Sequence, residues 1–171
     1  MKTRNLSLSL AIGMCGLAAF VVFGGATSSA QDASPAASAT TEAAIGKADT
    51  DWEGISVELL SVTRGDGDTL TIKFKYNNSG SKAANISQLG QFSHDNVADH
   101  VYYVDPGNKK KYLVIKDTQG KPIASNMRYL ELEAGASRTG WVKVPAPPTP
   151  VSKITVYLPG APPFESVSIA P

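Results

Sequence analysis

An all-β fold is what this sequence predicts, on three observations. Apolar residues recur with period two, glycine and proline turn signals punctuate them, and no stretch combines a helical period with caps. The clearest ladder is Leu70, Ile72, Phe74 and Tyr76 alternating with Thr71, Lys73 and Lys75, a strand with one buried and one wet face. Ile55, Val57 and Leu59 begin a similar ladder that changes phase to Leu60 and Val62, which predicts a bulge or a strand changing sheets. Arg64-Gly65-Asp66-Gly67-Asp68 lies between the two ladders. Its glycines supply the positive φ of a tight turn, so residues 55–77 read as a hairpin.

A second hairpin, with a wider turn, joins Val101–Val104 to Tyr112–Lys116 through Asp105-Pro106-Gly107-Asn108. Strands follow at Gly140–Val144, Lys153–Leu158 and Val167–Ile169, bordered by prolines. Six or seven short strands with regular turn signals predict an immunoglobulin-like antiparallel β-sandwich of about seven strands over residues 51–171. That length buries about two-thirds of the surface its unfolded chain exposes, enough for a core without staples.

Two segments precede this domain. In residues 1–30, Lys2 and Arg4 stand before an apolar run from Leu6 to about Gly24, and Ser28-Ser29-Ala30 offers a small-residue exit. These are the parts of a secretory signal peptide, so the chain is expected to be exported to the periplasm or the medium. Membrane association is expected only if the segment is retained, because the run approaches the ~20 residues that span a bilayer. Cys15 follows Met14, where a lipoprotein signal wants a small residue. Residues 31–50 are dominated by Ala, Ser and Thr and read as a flexible linker.

Cleavage after Ala30 removes the chain's only cysteine, which excludes disulfides, thiolate catalysis and Cys-ligated zinc from the mature protein. It also removes Lys2 and Arg4 from the 16 basic residues while leaving all 15 acidic ones, so the mature chain carries one net negative charge. No general attraction to nucleic acid or anionic lipid follows from that balance.

From Val101 onward the residues form a recognisable pattern. Tyr103-Val104-Asp105-Pro106, Lys111-Tyr112, Asp117 with Gly120, and Leu132 with Gly135 precede Arg138. Val144-Pro145-Ala146-Pro147-Pro148, Val156-Tyr157-Leu158-Pro159 and Pro162-Pro163-Phe164-Glu165 follow. This pattern resembles a bacterial secreted immunoglobulin-like domain of unknown function, over roughly the last 120 residues. The resemblance implies an exported protein, since such domains occur in exported proteins and lipoproteins, some beside OmpA-type peptidoglycan-binding domains. This chain has Pro122-Ile123-Ala124-Ser125 where some relatives place a cysteine pair, and no OmpA-type domain lies within it.

The candidate site residues fall into two groups. Tyr102, Tyr103 and Lys110 (within Lys109-Lys110-Lys111) put positive charge beside aromatics, a combination suited to binding. Trp141 and Phe164 are aromatic anchors of the kind that dominate hot spots. The two histidines, His94 and His100, bracket Asp95 and Asp99, and imidazole with carboxylate suits zinc, nickel or copper. Asp51, Asp66 and Asp68 suggest calcium more weakly, because the twelfth position from Asp66 is Asn77 rather than a bidentate acid. Serine and threonine are plentiful, but the histidines share one segment and no glycine elbow presents a nucleophile. The expected function is an exported, non-catalytic binding or adaptor module without a cofactor. Its partner would be another envelope or extracellular protein and not a nucleic acid. The alternative is a periplasmic metal-binding protein using His94 and His100.

Overall fold

The computed structural model describes residues 43–92 and 95–171. Ten strands run along the chain: β1 (Gly46–Asp49), β2 (Ile55–Gly65), β3 (Thr69–Asn78), β4 (Ala84–Asn85), β5 (Tyr102–Asp105), β6 (Lys110–Leu113), β7 (Glu131–Leu132), β8 (Ser137–Pro145), β9 (Lys153–Tyr157) and β10 (Phe164–Ser168). A one-turn helix, α1 (Ile86–Leu89), and a 3-10 turn at Val97–His100 interrupt them. One antiparallel sheet has the order β1-β2-β3-β8, a second β10-β9-β5-β6, and β4 pairs with β7 as a third.

The period-two ladders form where they were expected. Leu70, Ile72, Phe74 and Tyr76 of β3 are each fully buried, and burying an apolar side chain of that size contributes about 1.5–3 kcal/mol. At the phase change in β2 the register with β3 slips between Leu59 and Ser61, a bulge at Leu60. Beyond it β2 also reaches the end of the chain. Thr63 forms a parallel bridge with Ala170, the Arg64 amide donates to Ala170 O at 2.9 Å, and the Ala170 amide donates to Val62 O at 2.8 Å. Bulge and second partner therefore coincide. Gly67 and Asp68 close the hairpin with φ of 69° and 53°, the left-handed region that glycine enters at no steric cost.

Three expectations change. Gly46–Asp49, read from its composition as part of a linker over 31–50, is strand β1, paired with Ser56–Leu59 of β2. Its small residues Gly46 and Ala48 are the half-buried ones, so the ladder to β2 orders it rather than any apolar pattern of its own. The second hairpin is shorter than the reading of Tyr112–Lys116 required: β6 stops at Leu113, and the Ile115 amide donates to Lys143 O of β8, in the other sheet, at 2.9 Å. The strand count among the described residues is ten because β1, β4 and β7 are short pairings that carry little hydrophobic signal.

Residues from both four-stranded sheets meet in one apolar cluster, with Phe74 and Val142 from the first and Tyr103, Ile154 and Val156 from the second. Met127 and Leu130, from the segment before β7, join it. Buried amides tie the irregular segments to this core. Asn96 accepts from the Ala98 and Met127 amides and donates to Ser125 O at 3.1 Å. Asn78 donates to Lys82 O and Leu132 O and accepts from the Gly80 amide. A buried polar group needs such partners, since leaving one unpaired costs about 1–3 kcal/mol.

Candidate binding face

The outward face of the β10-β9-β5-β6 sheet gathers aromatic, apolar and cationic side chains in one place. Register puts Tyr102 of β5 between Tyr157 of β9 and Leu113 of β6. The rings of Tyr102 and Tyr157 stack with centroids 4.5 Å apart and planes 11° from parallel. Lys111 of β6 sets its ammonium 3.6 Å from the centre of the Tyr102 ring, a cation–π contact worth about 0.5–1 kcal/mol at an exposed site. Leu113 is 58% exposed beside them. An apolar side chain thus stands in solvent next to the stacked rings and the Lys111 ammonium.

Alternation along the strands decides which expected residues reach this face. Tyr102 is there, but Tyr103 is one residue on and points inward. It is fully buried, stacks on Tyr112 at 4.6 Å, and donates its hydroxyl to Pro145 O at 2.7 Å. Tyr103 therefore belongs to the core and not to a binding surface. Burial pushes its phenol well above the ordinary value near 10, and the Tyr112 and Asp105 charges push the same way against Arg64. Lys110 pairs with Asp105 across the hairpin, so of the three lysines Lys111 is the one over Tyr102.

Asp105 itself builds the turn. Its carboxylate accepts from the Gly107 and Asn108 amides at 3.0 and 3.2 Å and from the Asn108 side chain at 2.7 Å. Those hydrogen bonds, the Asn108 side chain first, hold its pKa below the usual carboxylate range.

Trp141 and Phe164 lie elsewhere. In β8 the buried residues are Gly140, Val142 and Val144, which leaves Trp141 37% exposed on the outward face of the other sheet. Gly140 sets that parity, because a side chain there would collide with Met127 and the Phe74 ring. Phe164 is half-buried and lines a groove of about 530 Å³ with Ile45, Gly46 and Val167. The five expected binding residues thus do not converge on one surface.

The expected metal ligands are only partly brought together. His94 lies outside the described residues. His100 Nε2 is 3.7 Å from Asp95 Oδ2, and its ring stacks on Phe92 at 4.3 Å. Asp99 turns to Lys116, whose ammonium stands 3.3 Å from an Oδ1 that makes no hydrogen bond. Among the described residues no three His, Cys, Asp or Glu side chains converge as a metal would need. Asp66 and Asp68 are exposed at the tip of the first hairpin, and the length of β2 separates them from Asp51.

Sequence reasoning singled out neither Tyr157 nor Leu113, and it named Lys111 only within the lysine run from which Lys110 was chosen. Tyr157 lies in the Val156-Tyr157-Leu158-Pro159 string, but its partner Tyr102 is on a strand that pairs with β9 across most of the second half of the chain. The signal that separates Lys111 from Lys110 is the parity of the hairpin, legible once its closing pair Asp105–Lys110 is known. Comparison with protein-family models, with curated proteins and with solved structures finds no match.

Proposed function

We propose that this chain is an exported, immunoglobulin-like β-sandwich module that binds another envelope or extracellular protein and performs no chemistry of its own. Strand order supports the finer fold. With β1 set aside as an added edge, β2-β3-β8 matches strands A-B-E and β10-β9-β5-β6 matches G-F-C-C′. The parallel bridge of Thr63 with Ala170 adds to this, since it links the first of those strands to the last across the two layers. Export rests on the charged, apolar and small-residue parts of residues 1–30. The non-catalytic half rests on sequence too, on two histidines confined to one segment and no nucleophile elbow.

The observation that carries the binding reading is the Tyr102–Tyr157 stack under Lys111 with Leu113 open beside it. Tyrosine gives large contact area at low entropic cost, and an apolar centre rimmed by charge is how protein interfaces are built. Crosslinking in the native cells, affinity capture and mass spectrometry test it, comparing wild type with a Leu113→Ser/Tyr157→Ser variant of unchanged circular dichroism. A partner held by wild type and lost by the variant is expected. Equal capture by both would remove this face as the binding site.

A further inference from the structure

Strand edges are hazards, because their unpaired amides and carbonyls template pairing with other chains. Of the four edges of the two larger sheets, those at β8 and β10 are blunted, and β1 carries a single lysine, Lys47, already 3.9 Å from Glu58. Outside β8, Ala124 bridges Val142 and the Lys143 amide donates to Ile123 O at 2.9 Å, so a further segment covers that edge. β10 is broken by a register shift between Phe164 and Val167, with Ser166 at φ 54°, and its continuation is held to β2 by Ala170. Bulges of this kind turn an edge away from pairing.

β6 is different. It ends its sheet, and among the described residues its backbone pairs with β5 alone. Lys109, Lys110 and Lys111 at its start are all exposed, and none lies within ion-pair distance of a carboxylate among the described residues. Charge of one sign along an edge repels a second copy of the same strand, since like charges opposite one another are destabilising. It leaves the edge receptive to a strand of opposite sign.

We propose that β6 accepts an added strand from the partner: an extended acidic segment that pairs with Lys110–Leu113 and extends the candidate binding face by one strand. The proposal rests on the binding-module reading and names the partner's chemistry. Parity fixes its pattern. Carboxylates stand opposite Lys110 and Lys111, on the two faces of the sheet, and an apolar residue stands opposite Leu113, on the same face as Tyr102. Main-chain hydrogen bonds supply affinity and the alternate side chains supply selectivity, as in other strand-addition complexes.

The test uses isotope-labelled protein purified from cells expressing the full chain, titrated with a Val-Thr-Glu-Glu-Thr-Val peptide, which presents that pattern in either strand direction, and, separately, with polygalacturonate. The expected result is slowed amide exchange within Lys110–Leu113 on adding the peptide, with affinity reduced about tenfold or more by Lys110→Glu/Lys111→Glu through loss of two cross-strand charge pairs. No binding of the peptide at millimolar concentration, or binding that leaves those amides unprotected, overturns strand addition. Tighter binding of polygalacturonate without amide protection also overturns it, in favour of an acidic glycan. The binding-module reading is judged separately: a cellular partner that needs Leu113 and Tyr157 but is captured equally by Lys110→Glu/Lys111→Glu protein keeps that reading and removes strand addition.

Discussion

Tyr102 and Tyr157 are stacked across neighbouring strands, on the solvent side of a sheet whose other side is core. Both rings are half-buried, and a cross-strand aromatic pair stabilises a sheet by about 0.2–1 kcal/mol. Tyr157→Ser should therefore lower stability by about 1 kcal/mol or less, read as the urea midpoint. A loss of several kcal/mol would mean that the ring is a structural element and not a contact surface.

The tyrosines that face the other way respond to pH. Tyr76 and Tyr103 are buried, and burial raises both phenols above the ordinary value near 10. Their neutral forms fold at no ionisation penalty, so this stability is full below the unfolded value and is lost as pH rises through it toward the folded one. Wild type should lose urea resistance steeply above about pH 10. Tyr103→Phe costs about 1 kcal/mol at neutral pH by losing the hydrogen bond to Pro145. It should nonetheless flatten the alkaline decline. An unchanged alkaline slope in both Tyr76→Phe and Tyr103→Phe would sink this account.

Asp105 works in the acid range with the opposite sign. Its folded pKa lies below the unfolded one because three donors hold the carboxylate. The stability it contributes is present above the unfolded value, near 3.9, and is lost as pH falls through the folded one. Asp105→Ala should be less stable than wild type by about 1–3 kcal/mol at neutral pH. The difference between the two should narrow as the solution is taken progressively below the unfolded value near 3.9. A gap that stays constant with pH would assign the effect to packing alone.

Asn96 joins the 3-10 turn to the segment before β7 through three hydrogen bonds. Asn96→Ala strands the buried Met127 amide, and a loss of about 2 kcal/mol is expected by denaturant titration. Asn96→Asp keeps the two accepted bonds and loses the donated one, so it should fall between Ala and wild type at acid pH, where its carboxyl is neutral. Equal destabilisation by both variants there would deny the accepted bonds their role.

Gly140 needs its missing side chain. A Cβ there meets Met127 and stands 3.0 Å from the Phe74 ring. Overpacking of this kind costs about 1–3 kcal/mol, so Gly140→Ala should lower the melting temperature. Gly120→Asn, in an open turn at φ 76°, should barely move it, because asparagine tolerates the left-handed region. Comparable losses from both would contradict a steric cause at Gly140.

The sequence by itself determined the strands with strong alternation, because burial of one face imposes period two and the chain carries that record locally. Leu70 to Tyr76, the turn at Gly67 and the bulge at Leu60 were all legible for that reason. It also named Tyr102 and Trp141 as aromatics worth testing, and both stand at least partly in solvent. Only the tertiary structure decided the rest. β1 exists because β2 pairs with it, and Gly46 and Ala48 carry too little apolar signal to announce it. Whether Trp141 or Val142 faces the core depended on Gly140 having Phe74 and Met127 as neighbours from elsewhere in the chain. Tyr103 went inward and Lys111 outward through a one-residue parity that composition does not encode, and Tyr157 reached Tyr102 through a pairing between strands distant in sequence. Alternation is written in neighbouring residues, whereas the partner of each face is chosen by the whole sheet.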